Sequence, residues 1–218
     1  MGGGQLMDFN IYIVFDGSSL ISQIRQLQDQ QGIFKGNKLD PLLLVTGFTS
    51  ALTMHDIMGS NFRRAIFYFA DGDTQIEEYL TLPDSTKPHL IRDVEFRFCG
   101  TKLARSAKYD EFLRGVPDDF LDRCQKSEKG VDIEICCDAL QLAASGQLDR
   151  LFLLTNDSDF VPLCRKIKQL GANISLLRLS DARPVNRDLA QACDSYDILD
   201  QNWLFQVFGI SADAEQRG

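Results

Sequence analysis

Residues 150–179 read RLFLLTNDSDFVPLCRKIKQLGANISLLRL. RLFLLT and NISLLRL are apolar runs of strand length, and DFVPLCRKIKQLG between them has helical spacing. Ser158 is placed to cap that helix, Pro162 falls in its first turn, where a missing donor costs little, and Gly171 can close it. A strand, a crossover helix and a second strand imply a parallel pair. Asp157 and Asp159 stand directly after the first strand. Two carboxylates one residue apart repel each other, so water, a cation or a helix N-terminus must answer them.

Working outward, the same alternation recurs. FNIYIVF (9–15) is a β-rich run stopped by Asp16 and Gly17. SSLISQIRQLQDQQG follows, with Leu20, Ile24 and Leu27 at helical spacing, Ser18 or Ser19 as cap and Gly32 as stop. PLLLVTGFTSALTMHDIM reads as helix, RRAIFYFAD as strand, DTQIEEYLTL as helix and DVEFRF as strand, with Pro83 and Pro88 bracketing a loop. Residues 100–130 are polar and mixed in charge and receive no assignment. A helix returns from Val131 to Ala144. Strands alternating with helices predict an α/β, three-layer α/β/α domain around a mainly parallel sheet. The expected division is a flexible tail over 1–8, one domain over 9–200 and a peripheral extension over 201–218.

Composition bounds the function. The 218 residues are 44% apolar and 25% charged, as in an ordinary globular protein. No apolar run reaches the roughly eighteen residues that span a bilayer, and MGGGQLMD lacks the pattern of a signal peptide. Six cysteines without a C-x-x-C pair read as structural thiols in a reducing, cytoplasmic setting. They give no zinc spacing, and His55 and His89 are the only histidines. A net charge of −8 argues against a broad electrostatic nucleic-acid binder. It leaves room for an enzyme whose acids gather around a cation.

In open parallel sheets, ligands collect beyond the carboxyl ends of the strands. Asp16 ends the first strand, and Asp157 and Asp159 follow the fourth. If those strands are neighbours, three carboxylates meet at one rim. An oxygen-only set suits Mg²⁺ or Mn²⁺. Taken singly, each aspartate also reads as a helix cap or a first-turn acid favoured by the dipole; taken together, a cation site is the better reading. Asp132 opens the apolar helix of EKGVDIEICCDALQLA, where Ile135 denies it a capping-box partner. Asp138 belongs to a polar stripe with Glu134, Gln141 and Ser145 and ranks below it. Other templates fail on spelling. Leu20 spoils a D-x-S-x-S adhesion site, Ser18 replaces the second aspartate of a haloacid-dehalogenase phosphatase, and neither a nucleophile elbow nor a phosphate loop is present.

IYIVFDGSSL, KGVDIEICCDAL and TNDSDFVPLCRKIKQLGANI, in that order, resemble the NYN domain of the PIN-like nucleases, and its LabA-like bacterial branch in particular. That family spells these segments approximately D-G-x-N-L, K-G-V-D-x-x-x-x-x-D-A and S-G-D-S-D-F. The resemblance runs from about residue 9 to about residue 200. It implies a PIN-like, Rossmann-like fold with strand order 3-2-1-4-5 and a metal-dependent ribonuclease. Carried over position by position, Asp16, Asp132, Asp157 and Asp159 are the implied catalytic and metal-binding residues. Asp138 matches the later helix aspartate, and QACDSYDILD the closing segment. Ser19 stands where the family usually has Asn, and Asn156 where Gly is usual. With Ser158, these are secondary candidates around the site.

The expected reaction is hydrolysis of RNA phosphodiester bonds by water activated on Mg²⁺ or Mn²⁺. Lys129, Lys102 and Arg105 are the expected phosphate contacts, with Lys108 and Arg114 nearby and Tyr109 and Phe112 as stacking candidates. PIN-like domains often pair, so homodimerisation is an expectation with no surface assigned. The rival reading is an inactive or weak module that binds RNA or a protein partner, favoured by Ser19 and Asn156. A nuclease for structured DNA ranks last.

Overall fold

The computed structural model describes residues 9–55, 60–82, 93–100, 130–180 and 184–210. Its strands are β1 (Phe9–Asp16), β2 (Ser60–Ala70), β3 (Val94–Cys99), β4 (Arg150–Leu154), β5 (Asn173–Arg178) and β6 (Ser195–Ile198). The helices are α1 (Gly17–Gln30), α2 (Pro41–His55), α3 (Ile76–Tyr79), α4 (Val131–Ala144), α5 (Val161–Gln169), α6 (Arg187–Ala192) and α7 (Gln201–Val207). All neighbouring strands are parallel, in the order β3-β2-β1-β4-β5-β6.

Each strand of the middle of the sheet buries both faces, as a covered parallel sheet demands. Ile11, Ile13, Phe15, Phe67, Phe69 and Phe152 pack with Leu20, Ile24 and Leu27 of α1 and with α2 and α7. Val14, Ile66, Tyr68, Leu151, Leu153 and Leu176 pack with Ile135 and Ala139 of α4 and Ile167 of α5. Phe15 stacks on Phe67 with centroids 4.1 Å apart and planes 3° from parallel. Truncating either buried ring costs about 3–5 kcal/mol.

Several local readings change. Asp16, not Ser18 or Ser19, caps α1, accepting from both serine N–H groups. Gln31 rather than Gly32 ends α1. Asp157 rather than Ser158 caps the turn before α5, because residues 158–160 form a 3-10 turn and the α-helix begins only at Val161. The helix expected over DTQIEEYLTL is a single turn, since Leu80 pairs with Leu39 as an extended bridge. The segment after residue 200 is not peripheral along its helix: Leu204, Phe205, Val207 and Phe208 are buried in the α1–α2 core. The tail 1–8, Cys124, His89 and the cationic and aromatic candidates Lys102, Arg105, Lys108, Tyr109, Phe112, Arg114 and Lys129 lie outside the described residues.

β2 also carries an irregularity. Ile11 pairs with Phe62 and Tyr12 with Arg64, so Arg63 is an extra residue opposite no partner. Among the described residues no helix is long and apolar enough to cross a membrane.

Candidate functional site

β1 and β4 are immediate neighbours, with Phe15 paired to Leu154. Their carboxyl ends therefore bring Asp16 beside Thr155 and the turn that carries Asp157 and Asp159. α4 enters the same rim at Val131. Gly130 begins that helix at φ 110°, a left-handed conformation that favours glycine, and a Cβ there would stand 3.0 Å from the Cα of Gly100. Gly17 is required for space: a Cβ would stand 2.3 Å from the Phe69 ring and 2.4 Å from the Tyr68 carbonyl oxygen. α1 can leave β1 this sharply only with no side chain after Asp16.

Asp16 is 1% exposed and held by five donors. Its Oδ1 accepts from Ser18 N (3.1 Å), Ser18 Oγ (2.9 Å) and Ser19 N (3.3 Å). Its Oδ2 accepts from Ser19 Oγ (2.6 Å) and Thr155 Oγ1 (2.8 Å). The two hydroxyls, their protons given to Asp16, accept in turn. Asn156 N donates to Ser19 Oγ and Asp157 N to Thr155 Oγ1, each at 3.1 Å. Asp159 N then donates to Asp157 Oδ1 at 2.8 Å. One relay thus runs from the first aspartate to the last two.

Thr155 is fully buried and is the residue that sequence reasoning passed over. The only signal was a hydroxyl in the last place of an apolar strand. Ser19, a secondary candidate, lies in the relay; Asn156 enters it through its backbone, and Ser158 stands exposed on the turn beyond.

Asp132 is half-buried in the first turn of α4, while Asp157 and Asp159 are exposed. Its carboxyl is pushed up to about 6, first by burial and then by the negative charges of Asp16, Asp157 and Asp159. The four residues therefore act within one electrostatic field. Asp138 does not join them. It accepts from the Tyr68 hydroxyl at 2.5 Å and pairs with the Arg97 guanidinium. Burial and this carboxylate make the Tyr68 phenol far harder to ionise than usual. The nearby Cys136 thiol is held up at about 11, by burial and then by Asp132, so it offers no thiolate. Farther off, Cys164 and Cys193 are buried as free thiols 3.9 Å apart.

The set suits a hard divalent cation by its chemistry: all donors are carboxylate oxygens, and after burial it is their negative charge that raises Asp132. Among the described residues, however, no three acidic, histidine or cysteine side chains cluster closely enough to ligate one ion directly. An ion that keeps part of its water shell, as Mg²⁺ does, needs fewer direct protein ligands.

A six-stranded parallel sheet of order 3-2-1-4-5-6, flanked by helices and with acids at the ends of its two central strands, is a PIN-like architecture. Residues 98–200 match the model of the NYN domain, a domain of the PIN-like nuclease superfamily. The match contains Asp132, Asp138, Asp157 and Asp159; Asp16 lies ahead of it, on a strand that the sheet joins to it. A protein of unknown function from Vibrio parahaemolyticus RIMD 2210633 superposes with a TM-score of 0.52 at 14% identity, over 93% of this chain and 98% of that one. It shares the fold. A homoserine dehydrogenase of S. aureus aligns at a TM-score of 0.28 and 8% identity, over 89% of this chain and 33% of that one, too low for a shared fold to be read from it. No curated protein matches the sequence significantly.

Proposed function

We propose that the chain is a metal-dependent ribonuclease of the LabA-like branch, hydrolysing RNA phosphodiester bonds at the rim formed by Asp16, Asp132, Asp157 and Asp159. One observation carries this reading: Asp132 is raised to about 6, first by burial and then by the negative charges of Asp16, Asp157 and Asp159, gathered at the carboxyl ends of adjacent strands. A fold stores such repulsion where a cation or a substrate relieves it.

The four aspartates would hold Mg²⁺ or Mn²⁺, which when bound supplies a water of lowered pKa and positive charge facing the scissile phosphate. Asp16, buried and fixed by five donors, sets the floor of the site. Thr155 and Ser19 hold the Asp157 turn against it. Asp157 and Asp159, exposed, face the solvent from which the strand arrives. Asp132, half-buried in the first turn of α4, would add its carboxylate oxygens to that set.

The test is cleavage of end-labelled single-stranded RNA by metal-stripped protein, with Mn²⁺ or Mg²⁺ restored, beside the Asp157→Asn variant. Metal-dependent cleavage that the variant loses supports the assignment. Equal background from both proteins contradicts it. A second reading, a module that holds RNA without cutting it, is favoured by one observation: no three described acidic side chains close on a single ion directly. Salt-sensitive binding without cleavage would select it.

A further inference from the structure

The α4 face of the sheet breaks the rule that both faces of a parallel sheet are apolar. Toward the amino ends of β1, β2 and β3, that face carries Tyr12, Arg64, Glu95 and Arg97. The bulge in β2 adds Arg63 to them. Regular pleating sends successive residues to opposite faces. Phe62 packs in the α1–α2 core and Ile66 in the α4–α5 core, so the extra residue between them lets both arginines serve the α4 side. Arg63 Nε donates to Asn10 Oδ1 at 2.6 Å, and Arg64 Nη1 meets Glu95 at 2.8 Å. Bulges commonly re-aim side chains in this way.

Two cavities adjoin here. One of about 410 Å³ is lined in part by Tyr12, Arg64, Arg97, Asp138, Gln141 and Gln147. The other, of about 320 Å³, shares Tyr12 and Gln147 and adds Arg63. Arg97 is clamped by Glu95, Asp138 and Tyr68. Arg64 is exposed, and its one carboxylate partner among the described residues forms a surface pair of the kind that contributes little. It is therefore available to exchange Glu95 for a phosphate. Tyr12 presents a half-buried ring, and the Gln141 and Gln147 carboxamides carry both donors and acceptors.

Arg63 and Arg64, on one groove of a chain with net charge −8, point to an anionic ligand, and the ring and amides beside them point to a nucleobase. We propose that this groove is a second nucleotide-binding subsite, in which Arg63 and Arg64 take phosphate, Tyr12 stacks on the base and Gln141 and Gln147 meet its edge. The subsite rests on the ribonuclease reading, since it holds a flanking nucleotide of the same RNA strand. Tyr12 and Asp16 are four residues apart on β1, about 13 Å at strand rise. Only an RNA several nucleotides long reaches both places.

The test has a binding arm and a cleavage arm, using the full chain, its Arg63→Gln/Arg64→Gln double variant and its Tyr12→Leu variant, with melting curves to confirm folding. In EDTA, fluorescence anisotropy follows a labelled single-stranded RNA of about twelve nucleotides across a salt series. The double variant is expected to bind about tenfold more weakly, with a salt slope smaller by about 1.4, the value for two phosphates on a single strand. Tyr12→Leu is expected to lose about tenfold with its salt slope unchanged. In Mn²⁺, KM for that RNA should rise in both variants at constant kcat. Wild-type affinity and salt slope in the double variant overturn the subsite, whatever the cleavage result. So does failure of the wild type to bind the RNA at all. Binding that depends on the arginines, with no cleavage by any protein, keeps the subsite and removes the ribonuclease reading.

Discussion

The two ends of the α4 face are built on opposite electrostatic plans. At the carboxyl ends of β1 and β4, four aspartates share one field, and the fold adds hydroxyl and amide donors but no described cationic side chain among the groups acting on Asp132. Toward the amino ends, each carboxylate is answered: Glu95 by Arg64 and Arg97, Asp138 by Arg97 and Tyr68. Glu95 is accordingly held below the usual carboxylate range, first by its hydrogen bond from Arg97, whereas Asp132 is held above it. Carboxylates thus stand in two settings. Those paired within the chain position its own arginines, whereas those of the rim are the ones proposed to hold an added cation.

The largest effect should separate the two regions outright. Asp157→Asn is expected to lower metal-dependent RNA cleavage by about 10²-fold or more with the fold retained, while Arg64→Gln leaves kcat within about threefold for a short RNA. Steady-state kinetics on both variants check this. Equal losses in kcat would erase the distinction between the rim and the groove.

Next in size is the relay that builds the rim. Thr155→Val removes the donor to Asp16 Oδ2 and the acceptor of Asp157 N–H, leaving two buried or half-buried groups short of a partner. A loss of about 2–4 kcal/mol in denaturant unfolding is expected, and Thr155→Ser should restore most of it.

Asp132 supplies a smaller effect of opposite sign. Its folded-state carboxyl titrates near 6, above its unfolded value of 3.8. The folded state therefore binds the proton more tightly, and metal-free stability falls as pH rises from about 4 to about 6 and then levels. Discounted for its partial exposure, the penalty is about 1 kcal/mol. Asp132→Asn should recover that amount at pH 8 and nothing at pH 4, and so should Mg²⁺ added to the wild type. Thermal melts at the two pH values measure it. The smallest change is expected from the exposed Arg64–Glu95 pair: Arg64→Gln should shift stability by less than about 1 kcal/mol, seen as a near-constant Tm.

Much of this architecture was legible from periodicity. The five predicted strands, the parallel sheet and the span of α4 follow from apolar runs punctuated by Asp16, Gly17, Gly130 and Gly171. β6 escaped because it is only four residues long and all four are exposed, so it adds nothing to the core and is fixed by pairing with β5. α7 was hidden for a different reason: its burial comes from docking on α2, a contact between distant segments. At the site, three aspartates were readable from strand ends alone, and the placing of Asp132 beside them needed the resemblance. The serine caps shift by one to three residues, onto aspartates that also read singly as caps, because Asp16 and Asp157 outcompete the serines that follow them. Neither the Arg63 bulge nor the partners of Asp138 leave a trace in the sequence, since Tyr68 and Arg97 reach it from strands 70 and 41 residues away.

The most direct measurement is a carbon-detected NMR titration of the Asp132 carboxyl, without and with Mg²⁺. A midpoint near 6 in the metal-free protein, falling well below that value when Mg²⁺ is added and restored by EDTA, is the result expected if four carboxylates share a cation site. A midpoint in the ordinary aspartate range, unmoved by the metal, would contradict it.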